Sequence, residues 1–314
     1  MSFLTKYGTL WGAIPITSGR IFWVAPSTSY TVDGRTYVGS DGNDGLSPER
    51  ALITVNRAMD LVTASVGDII VLLPGSHSWS ATQTIDVAGV KVLGLPGGPI
   101  DPHEHGTRTT RYDASVTTTA SAAVFTVTAA RCEIAYLHVV PLAAQAGIDL
   151  AAADANIHDL TWNMTTATDT ATFGISVTGA SARPRFSNHY VYVEDNQGPF
   201  LRCASATGGM DGGVLQRSMV VLAGTTAWDD VVEITTGVDN FTIRDCDFVH
   251  SSGAIMTDVV DVTGNTSDHA VLVMRCMHAV AGDLTEATAT SDIQLCNNYI
   301  ATIQGGTGGT LSTG

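Results

Sequence analysis

An all-β solenoid, wound as a parallel β-helix, is the fold class this sequence predicts, and three observations carry it. Short apolar-alternating segments recur in pairs, at 231–234 and 241–248, 259–262 and 271–277, 284–287 and 293–299, with a period of roughly 20–30 residues that marks a solenoid. Their apolar residues are mostly β-branched or aromatic and alternate with polar ones, the signature of strands. The intervals between equivalent positions are uneven, whereas leucine-rich or ankyrin-type repeats hold a stricter period. Fixed short strands joined by variable turns are what a parallel β-helix permits. Composition agrees: 44% hydrophobic residues supply a core, only 14% are charged, and 32 glycines favour turns over long helices.

Residues 1–36 stand apart from the repeat. Phe3, Tyr7, Leu10, Trp11 and Ile14 form an apolar, aromatic stretch with no clear period, and 21–24 read as a short strand containing Phe22 and Trp23 and ending at Pro26. The expectation is a docking arm through these seven side chains; the alternative is an arm folded back over the open end of the solenoid. Residues 37–75 hold the most specific pattern. A strand meets the turn Ser40-Asp41-Gly42-Asn43-Asp44-Gly45, then Ser47-Pro48, then a helix with Val55, Ala58, Met59 and Val62 on one face. Gly67-Asp68 stops the helix, and a buried strand at 69–73 is closed by Pro74-Gly75. This segment resembles the opening of right-handed, single-stranded parallel β-helix proteins of the pectate-lyase-like superfamily, and phage-encoded members in particular. The resemblance implies that the short helix caps the first coil, which would otherwise expose its apolar end.

Coils are expected over 76–300 and a flexible Gly/Thr tail over 301–314. About eight coils make a shaft on the order of 40 Å long at the strand spacing. Leu137, Leu160, His189, Ser218, Cys246, Cys276 and Cys296 are aligned as equivalent positions. The last three then form a buried thiol column, which accounts for cysteines that show no C-x-x-C spacing.

Thirty acidic residues against fifteen basic ones give a net charge of -15, which disfavours nucleic acid and anionic membranes as partners. No apolar run is long enough to span a bilayer, and the first residues lack the pattern of a secretion signal. Synthesis in a host cytoplasm without a signal peptide is therefore expected, and the three N-x-S/T sequons are read as chance.

Candidate chemistry centres on acids. Asp230 and Glu233, Asp258 and Asp261, and Asp283 and Glu286 repeat the same carboxylate spacing, with Asp149 as the counterpart of Glu233 in an earlier coil. Stacked coils turn these into two columns with members about 5 Å apart, close enough to raise one another's pKa unless offset by a cation, by Arg244 and Arg275, or by solvent. Three readings stay open. The acids cap solvated turns by bonding backbone N–H groups; Asp258, Asp261, Asp283 and Glu286 hold a calcium-like cation; or Asp230, Glu233, Asp258 and Asp261 supply an acid/base pair. Repetition of equal carboxylates weighs against the last, because catalysis needs two differentiated ones. Asp101, His103, Glu104 and His105 offer two imidazoles and carboxylates suited to zinc, with no evident fourth ligand. Trp162, Tyr190, Tyr192 and Trp228 suit a sugar-binding face or a core.

The expectation is a structural virion protein of a tailed bacteriophage. It would be a β-helical capsid decoration, head spike or tail spike on the particle surface, a homotrimer bound to the major capsid protein or the tail, with no catalytic residue and no cofactor. The alternative is a tailspike enzyme that binds or depolymerises a host surface polysaccharide.

Overall fold

The computed structural model describes residues 19–32, 34–95, 112–119, 121–141, 145–164, 173–193, 198–205, 209–223, 228–235, 238–250, 255–262, 271–279, 281–287 and 293–300. Each coil supplies one strand to each of three parallel sheets. The first sheet has ten strands, from Ile21–Val24 to Ile293–Cys296. The second has nine, from Gly75–Trp79 to Tyr299–Ile300, and the third has eight, from Gln83–Ile85 to Ala281–Ala287. The chain is a parallel β-helix.

Strand alternation explains the core. One residue in each of the first nine first-sheet strands points inward, so Phe22, Ile70, Val92, Ile134, Ile157, Phe186, Leu215, Ile243 and Val273 stack in register. All are essentially inaccessible to solvent. The same positions one residue either side point outward and are free to be polar.

Two corners give the coil its shape. Between the first and second sheets the chain turns in two residues, and the first of them is left-handed in coil after coil: Tyr136, Asp159, Asn188, Arg217, Asp245, Arg275 and Asn297, with φ between 51 and 61°. Most residues resist this conformation. Here the corner amides bond to the next coil, as Arg217 N does to Arg244 O at 3.1 Å and Arg275 N to Cys296 O at 3.0 Å. A second left-handed file, two residues before the first-sheet strands, runs through Gly67, Gly89, Arg131, Asp154, Arg183, Gly212 and Asn240. Charged corner residues are clasped across coils: Arg183 Nε and Nη2 donate to Asp154, at 2.8 and 2.9 Å, and Arg275 does the same to Asp245 at 2.6 and 2.9 Å.

The register corrects the alignment of the thiols. Met274 pairs with Cys296, so the counterpart of Cys276 is Asn298, two residues further on. Asn298 Oδ1 accepts from Cys276 N at 2.9 Å, and Cys296 is exposed. The buried column thus holds two thiols, Cys246 and Cys276, and burial together with the neighbouring Cys276 pushes the Cys246 thiol up. The last repeat was misread because its strand also ends in a cysteine, two places early.

In the capping segment the helix ends at Met59, short of Val62 and of the expected stop at Gly67-Asp68, because the chain turns out of the helix at Asp60. Pro48–Arg50 forms a 3-10 turn and Val55–Met59 a short helix whose Val55, Ala58 and Met59 are buried. Asp41 accepts hydrogen bonds from Ile53 N, Thr54 N and Thr54 Oγ1 and so fixes the helix start; Thr54 Oγ1 then accepts from Arg57 N. Asn56 anchors the helix to the first third-sheet strand, donating to Thr82 O and accepting from Thr84 N. The buried Asp68 accepts from Arg20 N at 2.6 Å and Thr63 N at 2.7 Å, tying the helix exit to the first strand.

Residues 19–37 do not form an arm. Ile21–Val24 is the first strand of the first sheet, with Phe22 1% and Trp23 6% exposed, so neither side chain is available for docking. Tyr30–Val32 and Arg35–Tyr37 make an antiparallel hairpin that covers the outer face of the opening coils. Tyr30, Val32, Trp23, Ile69, Val71, Leu93 and Ala135 build a second, external apolar cluster there. The remaining docking residues, Phe3, Tyr7, Leu10, Trp11 and Ile14, and the tail at 301–314 lie outside the described residues. Among the described residues no helix is long and apolar enough to cross a membrane.

Candidate functional site

The predicted acid columns are real in register but not in setting. Asp230 pairs with Asp258 and Asp258 with Asp283; Glu233 pairs with Asp261 and Asp261 with Glu286. They sit within the third-sheet strands Trp228–Ile234, Ile255–Val262 and Ala281–Ala287, not at turns, because these strands run longer than the apolar pattern suggested. Asp149 continues the Glu233 column upstream through Ser176 and Arg202.

The cation in that column is Arg202, whose Nε lies 3.2 Å from Glu233 Oε2 and whose guanidinium sits 4.8 Å above the Phe173 ring. Arg244 and Arg275, the donors expected from sequence, face elsewhere: Arg244 donates to Gln216 Oε1 and Arg275 to Asp245. The carboxylates are also less alike than their spacing implies. Asp258 is 4% exposed, Glu233 has an arginine beside it, and burial raises the pKa of Asp149. No group of three or more ligating side chains is assembled for a metal among the described residues. Asp101, His103, Glu104 and His105 lie outside them. Trp162, Tyr190 and Trp228 are buried and serve packing; Tyr192 alone of the four aromatic candidates is part-exposed.

A second constellation, unforeseen from sequence, lies on the outer face of the first sheet beside the hairpin. Lys91 pairs directly with Glu133, and His158 is the diagonal neighbour of Glu133 on the next strand. Lys91 Nζ donates to Glu133 Oε2 at 2.5 Å, His158 Nε2 lies 3.1 Å from Glu133 Oε1, and His158 Nδ1 lies 2.7 Å from Asp159 Oδ2. Asn188 Nδ2 adds a bond to the same Asp159 oxygen at 3.4 Å. Tyr136 meets the His158 ring edge-on at 5.8 Å, and Tyr112 backs Tyr136 at 6.0 Å.

Electrostatics sets the protonation of this ladder. Burial works against a charge on His158, but the carboxylates of Asp159 and Glu133 outweigh it and raise the imidazole to about 9. Burial likewise pushes Glu133 up, but the His158 and Lys91 donors overcome it and hold the carboxyl below its ordinary value. At neutral pH both ring nitrogens therefore donate and Glu133 is ionised. A protonated His158 is no general base and an ionised Glu133 no general acid. What the ladder offers is a dense set of fixed charged donors and acceptors flanked by a tyrosine.

The sequence held one signal for this cluster. Extending the Leu137/Leu160 alignment backwards by two and four residues puts Glu133 opposite Asn156 and His158 opposite Ala135, on the outward positions. Lys91 escaped because the segment at 96–111 interrupts the spacing.

Fold and site define a parallel β-helix protein with a charged, polar cluster on the outer face of its first sheet. No family model and no curated protein matches the chain. Solved structures do. A pectin methylesterase in complex with a hexasaccharide aligns at TM-score 0.58 and 9% identity, covering 93% of this chain and 92% of its own. Pectin methylesterase from carrot aligns at TM-score 0.55 and 12% identity, covering 92% and 85%. The Aspergillus niger enzyme aligns at 0.54 and 15% over 81% and 84%. These similarities extend along nearly the whole shaft and establish the fold.

Proposed function

We propose that this protein recognises a surface polysaccharide through the outer face of its first sheet. The ladder of Lys91, Glu133, His158 and Asp159 carries this reading. Buried enough to be held rigid, it still presents charged donors and acceptors on successive coils, matching the hydroxyls of a sugar chain laid along the shaft. Coil spacing of about 4.8 Å is comparable to the length of one sugar ring in an extended chain, so one unit per coil is the natural register. Likeness in fold to a structure bound to a hexasaccharide supports the same reading. The ladder's protonation state supports binding rather than cleavage at this face.

A second reading places the same shaft on a tailed-bacteriophage particle, where glycan recognition would serve attachment to the host. Resemblance of the capping segment to phage-encoded β-helices supports it, and locating the protein in micrographs of purified particles tests it. The binding claim is tested on an array of bacterial surface polysaccharides. The wild type is expected to retain a defined subset, with His158→Gln and Glu133→Gln weakening retention at least tenfold. Retention of no glycan, or equal retention by both variants, contradicts the proposal.

A further inference from the structure

The buried thiol pair sits where the coils allow a bond between them. Arg244 pairs with Met274 and Asp247 with Met277, so Cys246 and Cys276 stand directly above one another on adjacent coils. Their Cα atoms are therefore about 4.8 Å apart, inside the range of roughly 4.4–6.8 Å that a disulfide spans. Local geometry repeats as well. Cys246 Sγ lies 3.3 Å from Arg244 O and 3.9 Å from Leu215 O; Cys276 Sγ lies 3.4 Å from Met274 O and 3.9 Å from Ile243 O. The two sulfurs thus share one orientation and belong to one file. Hydrogen bonding from the Cys246 thiol holds the Cys276 thiol below its ordinary value, so a thiolate forms there first. Cys203, by contrast, pairs with Val177 and Ile234 and has no thiol on either side.

The last coil covers the pair. Asn298 Oδ1 accepts from Cys276 N at 2.9 Å, and Asn298 Nδ2 donates to Val273 O at 3.0 Å. That coil is otherwise thinly held: in its first-sheet strand Ile293 is half-buried, and Gln294, Leu295 and Cys296 are exposed. A coil at the end of a solenoid has a neighbour on one side only and opens first. We infer that the coil bearing Asn298 is a lid over a redox-active dithiol, and that its opening lets a low-molecular-weight disulfide oxidise Cys246 and Cys276 to an intramolecular disulfide. The Cys276 thiolate attacks one sulfur of the oxidant and expels a thiolate, leaving a mixed disulfide. Cys246 gives up its proton and attacks Cys276 Sγ, expelling the second thiolate; each released thiolate takes up one proton. The protein loses two protons and two electrons, and the oxidant is reduced to two thiols. The new bond staples the two coils next to the lid and restricts the unfolded chain, so the oxidised shaft is the more stable form. This inference does not depend on glycan recognition, whose ladder lies in earlier coils.

Oxidised glutathione added to the full folded chain tests it, in a Cys296→Ser background that removes the exposed thiol. This protein is expected to lose the mass of two hydrogens, and non-reducing peptide mapping is expected to join Cys246 to Cys276. Its melting temperature should rise on oxidation and return on reduction with dithiothreitol. Ser218 holds the same place in the preceding coil, so serine fits this file. Adding Cys246→Ser should therefore leave a folded chain that stops at a mixed disulfide on Cys276, and adding Cys276→Ser one in which Cys246 stays reduced. Asn298→Ala should speed disulfide formation by about threefold or more, as the loss of two hydrogen bonds at the lid implies, with Cys132 and Cys203 unreacted. A chain that keeps both thiols under conditions that oxidise free cysteine overturns the inference. So does a disulfide formed elsewhere, or an oxidation rate that Asn298→Ala leaves unchanged.

Discussion

His158 illustrates how a single residue takes its chemistry from its neighbours. Its imidazole sits between Glu133 and Asp159 and is raised to about 9. A raised folded-state pKa stabilises the fold fully below the unfolded value of about 6.5, and that contribution is lost as pH rises through about 9. His158→Gln should therefore lower the melting temperature most at pH 6 and progressively less toward pH 10, a convergence that thermal melts across that range will register. Gly94 gives a steric counterpart. An added Cβ would lie 2.0 Å from Tyr136 O and 2.8 Å from Leu137 Cδ2. Because the first contact is backbone, Gly94→Ala should cost about 1–3 kcal/mol in urea unfolding, and a neutral result would mean the corner yields. Such residues were only partly legible in the sequence. Asp41 and Gly67 stood out because turn chemistry is local; the bond from Arg20 N to Asp68, across 48 residues, did not. The ladder did not, since its members are joined by coil stacking across 25 and 42 residues.

At the scale of elements, local chemistry is legible in the sequence and element length is not. The short helix and its buried Val55, Ala58 and Met59 follow from spacing, but the helix ends at Met59, before Val62 and the expected Gly67-Asp68 stop. The hairpin at residues 30–37 does not follow, because an apolar segment says that it needs cover without saying which surface provides it. Here it covers the outward side of the opening coils, a role that alternation alone would assign to solvent. The third-sheet strands lengthen toward the C-terminal end, and this moved the acids from expected turns into strands. Asn56 joins cap to shaft through two side-chain bonds. Asn56→Ala should speed amide hydrogen exchange in Gln83–Ile85 and cost about 1–3 kcal/mol, while exchange in strands several coils away stays unchanged, as near-neighbour coupling in a solenoid requires.

Over the whole molecule, buried histidines set the response to acid. His77 and His138 are held neutral by burial, with pKa values lowered to about 4, and His189 to about 3. A depressed histidine favours the fold above the unfolded value of about 6.5 and loses that contribution as pH falls toward the folded one. Shifts of two or more pH units amount to about 3 kcal/mol each. Stability should thus decline steeply between pH 6.5 and 4, and His189→Gln, which removes the most strongly lowered of the three, should flatten that decline. An acid slope in urea midpoints identical to the wild type would contradict the assignment. The shaft itself was the most legible feature of the sequence, because each coil repeats one simple pattern of in and out. The face that acts was not, because which outward residues meet depends on register between coils whose intervals vary.

The central claim is that a polysaccharide lies along the outer face of the first sheet. Hydrogen–deuterium exchange on the full chain, with and without a saturating oligosaccharide prepared from an array-positive glycan, tests it most directly. The account predicts new protection confined to Lys91–Gly94, Glu133–Ala135, Asn156–His158 and the corner residues that follow them, and its absence in His158→Gln at the same ligand concentration. Protection centred instead on Phe173–Val177, Leu201–Cys203 and Trp228–Ile234 of the third sheet, with the first sheet unchanged, would place recognition on the acid-bearing face and contradict it.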